Sequence, residues 1–463
     1  MKPIEKPKDS ELLFDRHHLI QLLWPLVVEQ LLSVLVGMVD VMMVAYVGEA
    51  AVSGVSLVDS VNYLVIQVLF ALAAGGTVVC AQSIGSGDYK LAGKSGGQLL
   101  FITTSVMLFI SAAFLLQGNT LLSVIFGTVD RDVMEDAVKY LAYTSASFPF
   151  LAVYYSAAAI FRAAGNTKLS MLASLGMNLL NIIGNAICIF GFHMGVVGVA
   201  LPTLLARMIA AAFMVYGLTH FGKEIRVETL LQMKPDRVII GKILSIGIPN
   251  SVESGLFNFG KILLQSLVST LGTASIAAYA VASNLATYLY LPGNALGAGM
   301  ITIVGQCYGA NKPDQARYYA RKLLYLNYAF LLVICAIMIA GRTVWIGFYN
   351  LSSQSAALAE GLLLSHSVAM VIWPVAFLLP YYFRAVGKAA FTMKVAVFAM
   401  AVFRVGLAYL FVGVWHKNVL WVWYAMFADW LFRIIVYGYG FMKDDTFSQA
   451  YQASVTRQPA LTG

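Results

Sequence analysis

The sequence predicts an all-α integral membrane protein: twelve transmembrane helices in two pseudo-symmetric six-helix lobes around a central cleft. Composition supplies the first reason. Of 463 residues 60% are hydrophobic and 11% charged, and the mean hydropathy is +0.79, far from a soluble globular balance. An internal repeat supplies the second. Pro25-Leu26-Val27-Val28-Glu29 returns as Pro249-Asn250-Ser251-Val252-Glu253, an offset of 224 residues that also superposes Gly48 on Gly272, Gln82 on Gln306 and Gly85 on Gly309. Phe161-Arg162-Ala163-Ala164-Gly165 returns as Phe383-Arg384-Ala385-Val386-Gly387 at an offset of 222. Two homologous halves in one bilayer are how many secondary transporters are built.

A span needs roughly 20 apolar residues to cross about 30 Å of hydrocarbon. Twelve such stretches lie near residues 19–46, 52–83, 96–117, 138–162, 168–191, 195–219, 240–271, 275–307, 323–341, 360–383, 391–413 and 419–441. Gly85-Ser86-Gly87-Asp88 and Gly309-Ala310-Asn311-Lys312-Pro313 mark turns between them. The one extended polar connection contains Lys223, Glu224, Arg226, Glu228, Asp236 and Arg237. The organisation is therefore a cytoplasmic segment 1–18, an N-lobe 19–220, a linker 221–238, a C-lobe 239–442 and a tail 443–463. No short apolar stretch with a cleavage signal precedes the first span, so no removable signal peptide is expected. An even number of spans per half gives both lobes one orientation, related by an axis along the membrane normal.

The net charge of +8 reflects topology. Lys90, Lys94, Lys223, Arg226, Lys234, Arg237, Lys242, Lys312, Arg317, Arg321 and Lys322 fall on one side, and the opposite loops hold Arg131, Lys139, Arg342 and Lys417. The positive-inside rule then places both termini in the cytoplasm and the protein in the plasma (inner) membrane, with no nucleic-acid partner. Cys80, Cys188, Cys307 and Cys335 lie in apolar spans without metal-ligand spacing, so no cofactor is expected.

Five carboxylates fall inside spans: Glu29, Asp40, Asp59, Glu253 and Asp429. A charge at mid-bilayer costs at least about 2.5–3.5 kcal/mol, so each must face protein or water. Glu29 and Asp40 share one face of the first helix, roughly 16 Å apart. Asp59 enters the second helix at the depth of Asp40, and the two can share a pocket. Asn178, Asn181 and Asn185 form one stripe of the fifth span. Beside a carboxylate, their oxygens suit a hard cation such as Na⁺, while a desolvated carboxylate suits a proton. The competing reading of the asparagines is interhelical hydrogen bonding. Glu29 and Glu253 each follow a proline by one turn. They either satisfy backbone opened at a kink or present two acids to the cleft. Lys261 either neutralises one of them in a single conformation or forms a static pair. Phe257, Tyr288, Tyr290 and Tyr381 are candidate stacking groups for a flat or cationic solute. Asp429, Arg433 and Arg404 read as a structural ion cluster.

In this order the landmarks resemble the multidrug and toxic compound extrusion (MATE) family along nearly the full length. They are Pro25 with Val39-Asp40, Val47-Gly48, Gln82-Ser83-Ile84-Gly85 with Gln306-Cys307-Tyr308-Gly309, Phe161-Arg162-Ala163-Ala164-Gly165, and Asn181-Ile182-Ile183-Gly184-Asn185 running into Ile189-Phe190-Gly191. The resemblance implies a V-shaped twelve-helix fold, export of amphipathic and often cationic compounds, and exchange for Na⁺ or H⁺. It carries an N-lobe acid onto Asp40 and a fifth-span asparagine onto Asn181. The archaeal and DinF-like branch has an aspartate where Asn185 stands. NorM-like members place a seventh-span glutamate where Phe257 stands and a tenth-span acid that has no counterpart near Trp373. The expected function is thus that of a monomeric, ion-coupled multidrug antiporter and not an enzyme. The alternative is a flippase of the same superfamily moving a lipid-linked substrate.

Overall fold

The computed structural model describes residues 12–127, 129–220 and 234–443. Residues 221–233 of the expected linker, the first eleven residues and the tail from 444 lie outside the described residues. Every regular element among them is helical. In order they are α1 (Arg16–Ala45), α2 (Glu49–Gly85), α3 (Tyr89–Phe126), α4 (Arg131–Ala163), α5 (Thr167–Ala186), α6 (Val197–His220), α7 (Arg237–Ser269), α8 (Thr273–Gly309), α9 (Pro313–Ala340), α10 (Arg342–Gly347), α11 (Ser353–Ala369), α12 (Trp373–Ala385), α13 (Ala389–Phe398) and α14 (Leu420–Met442). α5 continues as a π-helical turn over Ile187–Gly191, and α13 as two, over Ala399–Gly406 and Tyr409–Val414.

Among the described residues nine helices are long and apolar enough to cross a membrane, and α11 with α12 makes a tenth, bent by 55°. α7 and α8 run for 33 and 37 residues. They fall short in apolarity because α7 carries Asn250, Glu253, Asn258 and Lys261, and α8 carries Asn284, Asn294 and Gln306. With those two, each expected span has its helix. The span expected as one helix over 360–383 is broken between Ala369 and Trp373. Pro374 stands in the first turn of α12, where its missing N–H and its ring bar a continuous helix from Met370. α10 is a short addition after Gly341.

The repeat is visible in backbone geometry as well as in sequence. Gly87 (φ 77°) and Asn311 (φ 55°), 224 residues apart, both reverse the chain in the left-handed region, where glycine and asparagine carry the least steric cost. Ser83 O accepts from Asp88 N at one turn, and Cys307 O from Lys312 N at the other, both at 2.9–3.0 Å.

The described chain falls into two compact units. One is Arg16–Ser251. A large core there joins α2, α3, α4 and α6 through Leu69, Met107, Phe148, Leu151 and Met214. A smaller core of Val44, Val55, Val58, Leu141 and Val199 holds together the end of α1 and the starts of α2, α4 and α6. The start of α7 is anchored in this unit. Gln98 on α3 donates to Lys234 O and accepts from Asp236 N, each at 2.9 Å. Lys94 meets the Asp236 carboxylate at 2.6 Å; this bond, with Ile239 and Val238 N–H, holds that carboxyl below its ordinary range and so keeps it charged as the cap of α7.

The other unit comprises Val252 onward with residues up to Asp15. Its core gathers Val268, Ala282, Leu289, Leu362, Met370, Trp373, Trp423 and Trp430. The stretch before α1 is tied down here: Leu13 N donates to Gln315 Oε1, and Phe14 N to Tyr319 Oη, both at 2.9 Å.

Close approach of α5 and α6 sets the geometry of the site described next. A Cβ on Gly184 would lie 2.6 Å from Cβ of Pro202, which cannot move aside. Gly184→Ala is therefore expected to cost about 1–3 kcal/mol by overpacking and to lower the thermal-unfolding midpoint in detergent. Gly176→Ala on the same helix meets open space and should leave that midpoint unchanged or raised.

Candidate ion-coupling site

Asp40, Asp59, Asn178 and Asn181 of the first unit meet around a cavity of about 430 Å³. Asp40 comes from the last turns of α1, Asp59 from α2, Asn178 and Asn181 from α5, Tyr140 from α4, and Thr203 and Arg207 from α6. Each contribution follows from helical spacing. Thr203 and Arg207 are four residues apart and so share a face of α6, as Asn181 and Asn185 do on α5. Asn185 Nδ2 donates to Asp40 Oδ1 at 3.1 Å and to Asn181 Oδ1 at 3.3 Å. Asn181 Nδ2 in turn donates to Thr203 Oγ1 at 2.8 Å. Tyr140 Oη donates to Asp59 Oδ1 at 3.2 Å. Asn178 lines the same cavity and reaches Ser174 Oγ at 3.5 Å.

The donors that touch the two carboxylates are thus neutral. Asn185 is fully buried, and its Oδ1 has no hydrogen-bond partner among the described residues. An amide oxygen and carboxylate oxygens around one space are the ligands a hard monovalent cation takes, and the same carboxylates can hold a proton. The cation in this setting is Arg207, which the sequence left unassigned. Its Nη1 donates to Ser147 Oγ on α4 at 2.6 Å, and its charge acts on both Asp40 and Asp59. The available signal was an arginine in the middle of the sixth apolar stretch.

Glu29 and Glu253 sit in two equivalent clusters, each with an arginine. Arg162 Nη2 lies 3.4 Å from Glu29 Oε1, and Arg384 Nη2 lies 2.8 Å from Glu253 Oε1. The four side chains are between 12% and 16% exposed. Each arginine also reaches a hydroxyl eight residues on, Ser170 in one half (3.4 Å) and Thr392 in the other (3.5 Å). Because Ser170 and Thr392 differ by the same 222 as the arginines, the whole triad is duplicated. Its arginines belong to the Phe-Arg-Ala motifs and occupy the last turns of α4 and α12.

The remaining candidates lie in the second unit. Lys261 is exposed and makes no ion pair among the described residues; Arg404 is the charge that acts on it. Phe257 packs under the Arg404 guanidinium (5.1 Å) and Tyr381 under that of Arg384 (5.2 Å). Tyr290 stacks on Trp373 (5.5 Å) and bonds His366 Nε2 at 2.9 Å, whereas Tyr288 packs against the apolar core. His366, a histidine that the sequence gave no reason to single out, is fully buried beside Trp423 and Trp430.

Asp429 is fully buried between Arg433 (Nε to Oδ1 2.7 Å) and Arg404 (Nε to Oδ2 3.7 Å). Arg433 also donates to Ala396 O at 3.1 Å. Asp429→Asn would strand two buried guanidinium groups. It is expected to cost about 3–5 kcal/mol, read as a lowered unfolding midpoint of the purified protein.

The MatE family model matches residues 25–187 and 249–410, one block in each half. YisQ of Bacillus subtilis, described as an uncharacterized transporter, is 26% identical over 444 residues, covering 94% of this chain and 95% of YisQ. A probable multidrug resistance protein NorM of Thermotoga maritima is 24% identical over 425 residues, covering 90% of both. Among solved structures, a multidrug resistance MATE family transporter in an outward-facing conformation superposes with a TM-score of 0.87 at 20% identity, covering 93% of this chain and 96% of that one. The twelve-helix architecture is therefore the MATE fold, and the chain belongs to the multidrug and toxic compound extrusion family of membrane transporters.

Proposed function

We propose that this protein is a multidrug efflux antiporter that exports amphipathic, cationic organic compounds in exchange for H⁺ or Na⁺ bound at the Asp40–Asp59 cavity. The observation that carries the reading is that pair of carboxylates. They face open space with neutral donors, while Glu29, Glu253 and Asp429 each have an arginine within 3.4 Å. A carboxylate held in a low-dielectric setting without a bonded cation is neutralised by a proton or a cation taken up from solution. An ion can drive solute movement only through unequal affinity for two conformations, and an acid exposed in turn to each side provides that inequality. Relatives named for multidrug resistance support the substrate class, and none of those names favours a lipid-linked substrate.

In this reading the protein works as a monomer in the plasma membrane with both termini cytoplasmic. Its lobes span 19–220 and 239–442, and Asn178, Asn181 and Asn185 complete the ion site. Phe257, Lys261, Tyr288, Tyr290 and Tyr381 belong to the solute path. In proteoliposomes with a Na⁺ or a pH gradient imposed separately, Asp40→Asn is expected to reduce gradient-driven ethidium export to the protein-free rate. Its elution from size exclusion should match the wild type. Export at the wild-type rate would remove the site from the mechanism.

A further inference from the structure

We propose that Arg207 is a tethered internal cation that competes with the coupling ion for the Asp40–Asp59 pocket, parked on Ser147 when the pocket is open to the ion and turned onto the carboxylates when the ion leaves. The inference rests on the functional reading above and assigns to that site a device which the reading does not contain.

Four observations support it. First, Arg207 lines the same cavity as both carboxylates. Its charge acts on each of them, yet neither forms an ion pair with it. Its nearest bonded partner is a neutral hydroxyl, Ser147 Oγ, at 2.6 Å. Second, that hydroxyl is built as a rest. Ser147 is fully buried and donates its own proton to Thr144 O at 2.6 Å, leaving its oxygen to accept from the guanidinium. Third, acceptors are left over in the cluster: Asn185 Oδ1 has no partner among the described residues, and Asp40, whose Oδ1 takes the Asn185 amide, has a second carboxylate oxygen, while Asp59 is met by Tyr140 and Asn62. Fourth, the groups presented by every element packed there are Asp40 from α1, Asp59 from α2, Tyr140 from α4, Asn178 and Asn181 from α5 and Arg207 from α6. Among the described residues no other formal cation lines the pocket.

The physical need is plain. Once the coupling ion dissociates, two carboxylates close together in a low-dielectric interior are costly, and the conformational change back would carry that cost with it. A guanidinium on a flexible stem a short swing away can replace the ion. It also opposes ion binding while parked, because like charges in one pocket repel. Arg207 thus sets the ion concentration at which the exchanger works and permits the empty protein to reset.

The test uses the full-length protein in proteoliposomes exporting ethidium, with inward Na⁺ and H⁺ gradients imposed separately. The readout is the half-saturating concentration of whichever ion drives export. Arg207→Gln is expected to lower it by about tenfold and to reduce the maximal rate, since reset loses its cation. Arg207→Lys, which keeps a mobile charge, should stay near the wild-type value. Ser147→Ala frees the guanidinium and should move the half-saturating concentration upward. A purely structural arginine would not give opposite shifts in these two variants. Unchanged values in Arg207→Gln and Ser147→Ala, with Asp40→Asn inactive, overturn the inference and leave the ion site standing. Wild-type export by Asp40→Asn overturns both. If Arg207→Gln fails to fold, the direction of the Ser147→Ala shift decides alone: upward supports the inference, and no shift or a downward one ends it.

Discussion

A carboxylate removed from water must be met by a cation, by hydrogen-bond donors or by a proton. That constraint organises this protein. Glu29, Glu253 and Asp429 are met by arginines within the fold. Those contacts tie the first helix of each half to its fourth-span motif and fasten α13 to α14. Asp40 and Asp59 are met by an amide and a phenol and face open space. Charges already balanced inside the protein hold it together, and the proposed ion site lies where they are left partly unbalanced. The difference between scaffold and site is in this sense electrostatic.

Duplication makes the contrast sharper. The Glu–Arg–hydroxyl triads are equivalent in both halves, as expected of contacts that hold the scaffold. The ion pocket is not duplicated. At the repeat offsets, Leu264 and Ser283 stand where Asp40 and Asp59 would fall, and Asp429 stands where Arg207 would. The second half has inverted the sign on its last helix and closed the cluster with two arginines. In the proposed reading the first half binds the ion, while the second holds its acid between two arginines.

The architecture was legible because hydropathy and repetition survive in one dimension: Pro25 and Pro249, Gly85 and Gly309, and the two Phe-Arg-Ala motifs mark both the halves and their turns. The carboxylates were legible for the same reason, since an acid in an apolar stretch is conspicuous. Their partners were not. Arg162 and Arg384 lie in the last turns of their helices, where a cation reads as a boundary signal, and only folding brings them back onto α1 and α7. Arg207 was as legible as the acids, since a cation mid-span is just as costly. The break at Pro374 was readable in principle. The pairing of His366 with Tyr290 was not, because it joins residues 76 positions apart on helices whose facing sides the sequence leaves undefined.

In the proposed mechanism solute and coupling ion bind in exchange, with Asp40 and Asp59 as the ion's ligands. It is tested most directly at equilibrium, without any gradient. Purified protein in weakly buffered detergent solution is titrated with ethidium while released H⁺ and displaced ²²Na⁺ are recorded. The account predicts saturable release of one of these ions, in step with ethidium binding and absent when both aspartates are replaced by asparagine. Ethidium binding that releases neither ion, or release that persists in the doubly substituted protein, would contradict it.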